Sequence, residues 1–341
     1  MQDTLFGKSL EELKTVSLEL GLPAYTGKQL SEWIYQKEVS GFDGMTNLSK
    51  KARELLASRF QIGLHEPIEV QESADGTKKY LFPGTSGKFI ETAYIPESGR
   101  ATVCISSQVG CKMGCLFCMT GKQGFQGNLS AGEILNQYRS IPEWKKLTNI
   151  VYMGMGEPLD NLQEVLKSLE ILTSPWGFVL SPRRITVSTI GITPAMLEFL
   201  DKSDAHLAVS LHSPFDEERR KLMPIQQVYP LGEVLNEIRS WDFGRQRRIS
   251  FEYILFRGFN DTAAHVNELS RILHGIRCRI NLIRFHPIPD TPLESPDEGA
   301  IQQFKDRLNA KGITTTIRAS RGQDIQAACG LLSTKKLMKK D

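Results

Sequence analysis

The spacing of apolar residues along this chain changes twice. Over residues 1 to about 60 it is helical, in Leu10-Leu13-Leu18, Leu30-Trp33-Ile34 and Ala52-Leu55-Leu56, with breaks at Gly21-Leu22-Pro23 and from Gly41 to Asn47. Residues three or four apart share one helix face, so three short amphipathic helices are predicted. From about Pro67 to Pro96 the period falls to two. Ile68-Val70, Tyr80-Leu81-Phe82 and Phe89 to Ile95 form runs separated by Gly76, Pro83-Gly84 and Gly87, which predicts antiparallel hairpins.

After Ala101 the chain alternates. Strand-like runs at Ala101–Ser107, Asn149–Met153, Arg184–Ser188, His206–Leu211, Ile249–Phe256, Arg279–Ile283 and Ile313–Arg318 are separated by helix-period stretches. The helical stretches are Ala131–Ser140, Leu162–Thr173, Pro194–Leu200, Leu231–Trp241, Thr262–His274 and Ala300–Ala310. Strands alternating with helices predict parallel βαβ units with right-handed crossovers, an α/β fold. The number of units favours a barrel, complete or open. Reactive residues are then expected at the C-terminal strand ends.

Composition narrows the setting. A chain of 341 residues can hold one large domain with small additions. With 40% hydrophobic residues, no apolar run near the roughly 18 needed to span a bilayer and no signal-peptide pattern, a soluble cytoplasmic protein without membrane contact is expected. Six cysteines, three of them crowded together, suit a reducing compartment. The net charge of +3 is too small to imply nucleic acid. Basic residues do gather locally, at Arg183-Arg184, Arg219-Arg220-Lys221, Arg245-Arg247-Arg248, Arg318-Arg321 and Lys335-Lys336-Lys339-Lys340. Such runs are either solvated faces or a phosphate footprint. The N-terminal helices carry eight acidic and eight basic residues, so they would either touch a partner by shape or cap the main domain.

The densest chemistry follows the first strand of the alternating region, where Cys111, Cys115 and Cys118 form a C-x3-C-x2-C run. Packed or disulfide-bonded cysteines, a zinc site completed from elsewhere and an iron–sulfur cluster are the available readings. No fourth local Cys or His is present, which favours a four-iron cluster with one iron open to a ligand. Met153-Gly154-Met155-Gly156-Glu157-Pro158 follows the second strand, with glycines that would let backbone approach a ligand. Ser188-Thr189-Ile190-Gly191, Ser210-Leu211-His212, Arg257-Gly258 and His286-Pro287 follow later strands. Cys104 lies in the first strand and Cys329 in a glycine-bordered segment that suggests a reactive thiol, whereas Cys278 reads as a small hydrophobe. Glu91, within a strand, reads as an ordinary solvated residue.

These motifs together resemble a known family. The Cys111/Cys115/Cys118 loop resembles that of radical S-adenosylmethionine (SAM) enzymes. Met153 to Pro158, Ser210-Leu211-His212 and Arg321 to Gly330 look like the RlmN/Cfr adenine methyltransferases within that group, over nearly the whole chain. The resemblance implies a partial (β/α)6-type barrel over residues 101–320. A helical accessory domain (1–62) for RNA engagement, a β-hairpin extension (63–100) and a C-terminal segment (321–341) complete it. It implies a 4Fe-4S cluster on Cys111, Cys115 and Cys118, and SAM held by Gly156, Glu157, Ser188, Ser210, Leu211, His212 and His286. At the last position the family often has Asn.

It further implies Cys329 as the methyl-accepting thiol, Cys104 as the thiol that resolves the RNA adduct by a disulfide with Cys329, and Glu91 as proton acceptor. Two SAM molecules serve each turnover. The expected substrates are 23S rRNA and tRNA, methylated at adenine C2, with flavodoxin or ferredoxin as electron donor and a monomeric state. Gly121 to Phe125 look more like the RlmN branch than the Cfr branch, whose members methylate C8. A metal-bearing RNA-binding protein without catalysis is the alternative of another class.

Overall fold

The computed structural model describes residues 2–37, 39–84, 87–243 and 248–325. Ten strands form one sheet: β1 (Glu69–Glu72), β2 (Lys78–Pro83), β3 (Phe89–Glu97), β4 (Arg100–Cys104), β5 (Asn149–Tyr152), β6 (Ile185–Thr189), β7 (His206–Ser210), β8 (Ile249–Leu255), β9 (Cys278–Arg284) and β10 (Thr315–Ile317). Their spatial order is their sequence order. From β4 to β10 all pairs are parallel, while β1 to β4 pair antiparallel. A parallel sheet wound always in one direction curls toward a barrel. β10 and the hairpin strands do not pair, so the barrel is open along one seam.

All seven strand-like runs of the alternating region are strands, and the six helix-period stretches are helices. Their ends differ from the expected ones by at most three residues. Two short helices of this region, Met119–Lys122 and Asp216–Leu222, escaped the sequence pattern, the first because it is a single turn and the second because Leu222 is its one apolar residue. Ser130 and Ser9 start their helices through reciprocal capping boxes with Glu133 and Glu12.

The parallel strands β4 to β9 each bury one face in the apolar core. Val103, Ile150, Val187, Leu207, Phe251 and Ile280 are all buried in the continuous apolar core. Register places Cys104, Val151, Thr186, His206, Ser250 and Arg279 on the opposite face, which lines the lumen and is mostly polar. A polar lining suits a space that admits a ligand better than a packed barrel interior.

The N-terminal helices (Leu10–Glu19, Tyr25–Ser31, Lys50–Arg59) belong to the same core. Tyr35 packs on Phe178 and Trp176, Gln36 donates to the Pro175 carbonyl at 2.8 Å, and Lys167 pairs with Glu12 at 2.9 Å. A Cβ on Gly7 would lie 2.3 Å from the Gly132 nitrogen, so only glycine permits this backbone contact. Leu18, assigned by spacing to the apolar stripe, is instead 60% exposed.

Candidate active site

The three-cysteine loop leaves β4 through Gln108-Val109-Gly110 and returns through Gly124. Gly110 has φ +70°, and a Cβ there would overlap the Gly124 carbonyl, so the loop base requires glycine. Cys111 and Cys115 are buried and Cys118 is half-buried. They lie in a second apolar cluster with Met113, Ile190, Leu222, Met223 and Phe256, separate from the main core. The Leu116 N–H donates to the Leu222 carbonyl at 2.9 Å, tying the loop to helix Asp216–Leu222. Burial pushes the Cys111 thiol up to about 12, and Cys118, Glu157 and Asp160 add to it. Burial likewise raises Cys115, with Cys118 and Cys111 reinforcing the shift. Thiolates crowded into an apolar pocket need a positive centre, which a bound metal group supplies. No three His, Cys, Asp or Glu side chains among the described residues are placed to hold one single ion. Three thiols that each bind a different iron of a cluster need not converge on a point, so the donor set fits a cluster better than mononuclear zinc.

The turn after β5 packs against this loop. Its glycines serve the protein itself: a Cβ on Gly154 would lie 2.6 Å from Ser106 Oγ, and one on Gly156 (φ +95°) 2.4 Å from Gln108 Cβ. Glycine is therefore required at both positions by the packing of this turn on Ser106 and Gln108. Gln108 accepts the Glu157 N–H at 2.9 Å and donates to Asp160 at 2.8 Å. Glu157 is buried, and its carboxylate accepts the Leu159 and Ile190 N–H groups at 3.1 and 3.0 Å. Burial nonetheless raises it to about 7, against the pull of Thr189 and these amides.

Ser188 and Ser210 stand half-buried on the lumen face at the ends of β6 and β7. Leu211 is fully buried, and His212 follows at φ 58°. His212 Nδ1 accepts the Ile254 N–H at 3.0 Å, and the ring meets Phe117 edge-on at 4.7 Å. Burial lowers its imidazole to about 3, aided by Arg219. It is therefore neutral, with Nδ1 occupied and the proton on Nε2.

Glu91 corrects the sequence reading outright. It is 3% exposed, and Lys79 pairs with it at 2.7 Å, both side chains buried. Lys79 lies opposite Ala93, and Ala93 opposite Cys104, so Lys79, Glu91 and Cys104 share one sheet face. No periodicity marks Lys79, because burial of a lysine depends on its cross-strand neighbours.

The open seam forms a cavity of about 500 Å3 that joins Cys104 and His286 with Arg100, Arg284, Arg318 and Arg321. Cys104 is a free thiol that burial raises to about 11, with Arg318 opposing. Burial lowers the His286 imidazole, and Arg284 lowers it further. The chain leaves the cavity over the β1–β2 turn. Asp75 accepts the Gly322 N–H at 3.0 Å, and Asp324 accepts from Ser73 Oγ and the Ala74 N–H at 2.5 and 3.0 Å. Cys329, Arg245, Arg247 and the lysines at 335–340 lie outside the described residues. Of the basic runs, Arg183-Arg184 and Arg220-Lys221 are exposed, but Arg219 is completely buried and belongs to no solvated face. Cys278 is half-buried, as a small hydrophobe would be. No helix among the described residues is long and apolar enough to cross a membrane.

The Radical SAM superfamily model matches residues 105–269, and that of the ribosomal RNA large subunit methyltransferase N-terminal domain matches 4–62. A probable dual-specificity RNA methyltransferase RlmN of Porphyromonas gingivalis is 59% identical, with 97% of each chain covered. One of Parabacteroides distasonis is 57% identical over the same shares. The crystal structure of a radical SAM methyltransferase from Sphaerobacter thermophilus superposes with a TM-score of 0.90 at 39% identity, covering 96% of this chain and 98% of the other. The cysteine loop at the head of an open barrel, the N-terminal helices fused to it and these full-length likenesses agree, and the chain belongs to the RlmN family of radical SAM RNA methyltransferases.

Proposed function

We propose that this protein methylates C2 of an adenosine in 23S rRNA and of the adenosine next to the tRNA anticodon, in the cytoplasm and as a monomer. The observation that carries this reading is the seam cavity, where a thiol, Cys104, and an imidazole, His286, stand among four arginines. Guanidinium groups are suited to the phosphates that flank a target nucleotide. Cys111, Cys115 and Cys118 would hold a 4Fe-4S cluster, and the mouth formed by Gly156, Glu157, Ser188, Ser210, Leu211, His212 and His286 would hold SAM. Bound there, cluster and SAM supply a methyl group and a carbon-centred radical, with two SAM molecules used per turnover and flavodoxin or ferredoxin as the electron source.

The chain's own residues do the rest. Glu157 braces the turn after β5 against Ile190, keeping the ends of β5 and β6 in register at the mouth. His212, neutral and anchored through Nδ1, keeps Nε2–H as its single donor. Cys329 accepts the methyl group on sulfur and presents the carbon to the adenine. Glu91, held by Lys79, takes the proton lost from the base. Cys104 frees the product by attacking the Cys329 sulfur: the S–S bond forms as the Cys329 S–C bond to the adduct breaks, and the released carbon keeps the electron pair and takes a proton to become the methyl group. Residues 1–62 and the hairpin strands 63–100 orient the RNA, and segment 321–341 delivers Cys329.

Nucleoside mass spectrometry on rRNA and tRNA, from cells carrying the wild-type gene, no gene or Cys329→Ala, tests the proposal. 2-Methyladenosine should be present only with the wild-type gene. Its persistence in the Cys329→Ala strain would sink the thiol-carried route, and 8-methyladenosine in its place would move the chemistry to C8.

A further inference from the structure

Arg219 is the largest fully buried side chain of the described residues. It stands in helix Asp216–Leu222 and spends its N–H groups on neutral acceptors. Nε donates to the Leu211 carbonyl at 3.2 Å, and Nη2 to the Ile190 and Ser210 carbonyls at 2.9 and 3.1 Å. Nη1 donates to Gln226 Oε1. No carboxylate among the described residues lies within ion-pairing distance; the nearest linked acid is exposed Asp216, reached through the Gln226 amide at 2.7 Å. A buried cation without a counter-ion is costly, by several kcal/mol in effective terms. Such a charge persists where something negative joins it.

That partner has a definite place. Leu222, one turn after Arg219, accepts the Leu116 N–H, and Leu222 and Ile190 pack in the same apolar cluster as Cys111 and Cys115. We propose that Arg219 is the built-in counter-charge of the cysteine-loop site: its guanidinium offsets the negative charge of the thiolate-bound cluster and so raises the cluster's reduction potential. The inference rests on the cluster reading given above. Net charge around an iron–sulfur centre is one of the levers on its potential, because reduction adds a negative charge that a nearby cation stabilises. Burial lowers Arg219 itself only to about 10, so it stays protonated at neutral pH. It acts through its field and through the carbonyls it anchors, and is a positioning residue.

The test neutralises this charge without emptying the site. Gln226→Glu sets a carboxylate against Nη1, and Asp216→Asn in the same chain restores the hydrogen bond that Gln226 gave to Asp216. Total charge is unchanged, since one negative charge moves from the surface to Arg219. Two readouts should move in opposite directions. The double variant without iron should melt higher than the iron-free wild type, because its buried cation is now paired. Reconstituted anaerobically without SAM, it should carry the same iron and sulfide but be about tenfold harder to reduce, a midpoint about 59 mV lower for one electron. Arg219→Lys, which keeps the charge, should hold the wild-type midpoint more closely than Arg219→Gln. An unchanged midpoint at full iron content would overturn the inference, as would a double variant that melts lower and takes up no iron. A wild-type protein that takes up no iron would overturn the cluster reading instead.

Discussion

Replacing Lys79 by methionine should unfold this protein at a markedly lower temperature, although the lysine belongs to no recognised motif. Lys79 Nζ and Glu91 Oε2 are 2.7 Å apart and each side chain is 2% exposed. Methionine fills nearly the same volume but removes the ammonium, so the carboxylate must stay ionised without it or take up a proton. Breaking a buried ion pair from one side costs about 3–5 kcal/mol. For a domain of this size that lowers the melting temperature by about 6–20 °C, at roughly 2–4 °C per kcal/mol. Lys79→Met combined with Glu91→Leu replaces the pair by apolar groups and should recover most of the loss, because neither buried charge remains. Differential scanning calorimetry on the two single variants and the double variant gives the coupling directly. If Lys79→Met lost less than about 1 kcal/mol, or the double variant melted lower than both singles, the pair would not be the buried unit described here. Methyl transfer, measured alongside, should fall in every variant on the proposal that Glu91 is the proton acceptor.

Two further outcomes follow from the site. Gly156→Ala should destabilise by at least about 1–2 kcal/mol, from the left-handed backbone alone, with the added overlap of its Cβ on Gln108; a melting temperature equal to wild type would refute the packing. His212 is held at about 3, below the ordinary 6.5, so its stabilisation is complete above about pH 6.5 and is lost as the pH falls toward 3. His212→Asn tolerates φ 58° and can still accept the Ile254 N–H. Its urea midpoint should therefore fall less steeply between pH 6.5 and 4 than the wild-type midpoint, and equal slopes would contradict the buried neutral imidazole.

The order of strands and helices after Ala101 was legible because period two and period 3.6 are local properties of a chain. So was the cysteine loop, whose three thiols lie within eight residues. The roles proposed for Ser188, Ser210, His212 and Cys329 rest on family likeness, since spacing alone left them open. What only tertiary structure decided is where polar groups lose water. Glu91 read as solvated until Lys79 came across the hairpin to meet it. Arg219 read as one charge in an exposed basic run until the ends of β6 and β7 closed over it. Gly154 and Gly156 marked a close backbone approach, and the approach that the fold itself makes there is to Ser106 and Gln108. The seam cavity joins residues from Arg100 to Arg321, whose proximity follows from the sheet's order and its failure to close. Desolvation depends on every neighbour at once, and those neighbours are set by crossovers and register that no local pattern encodes.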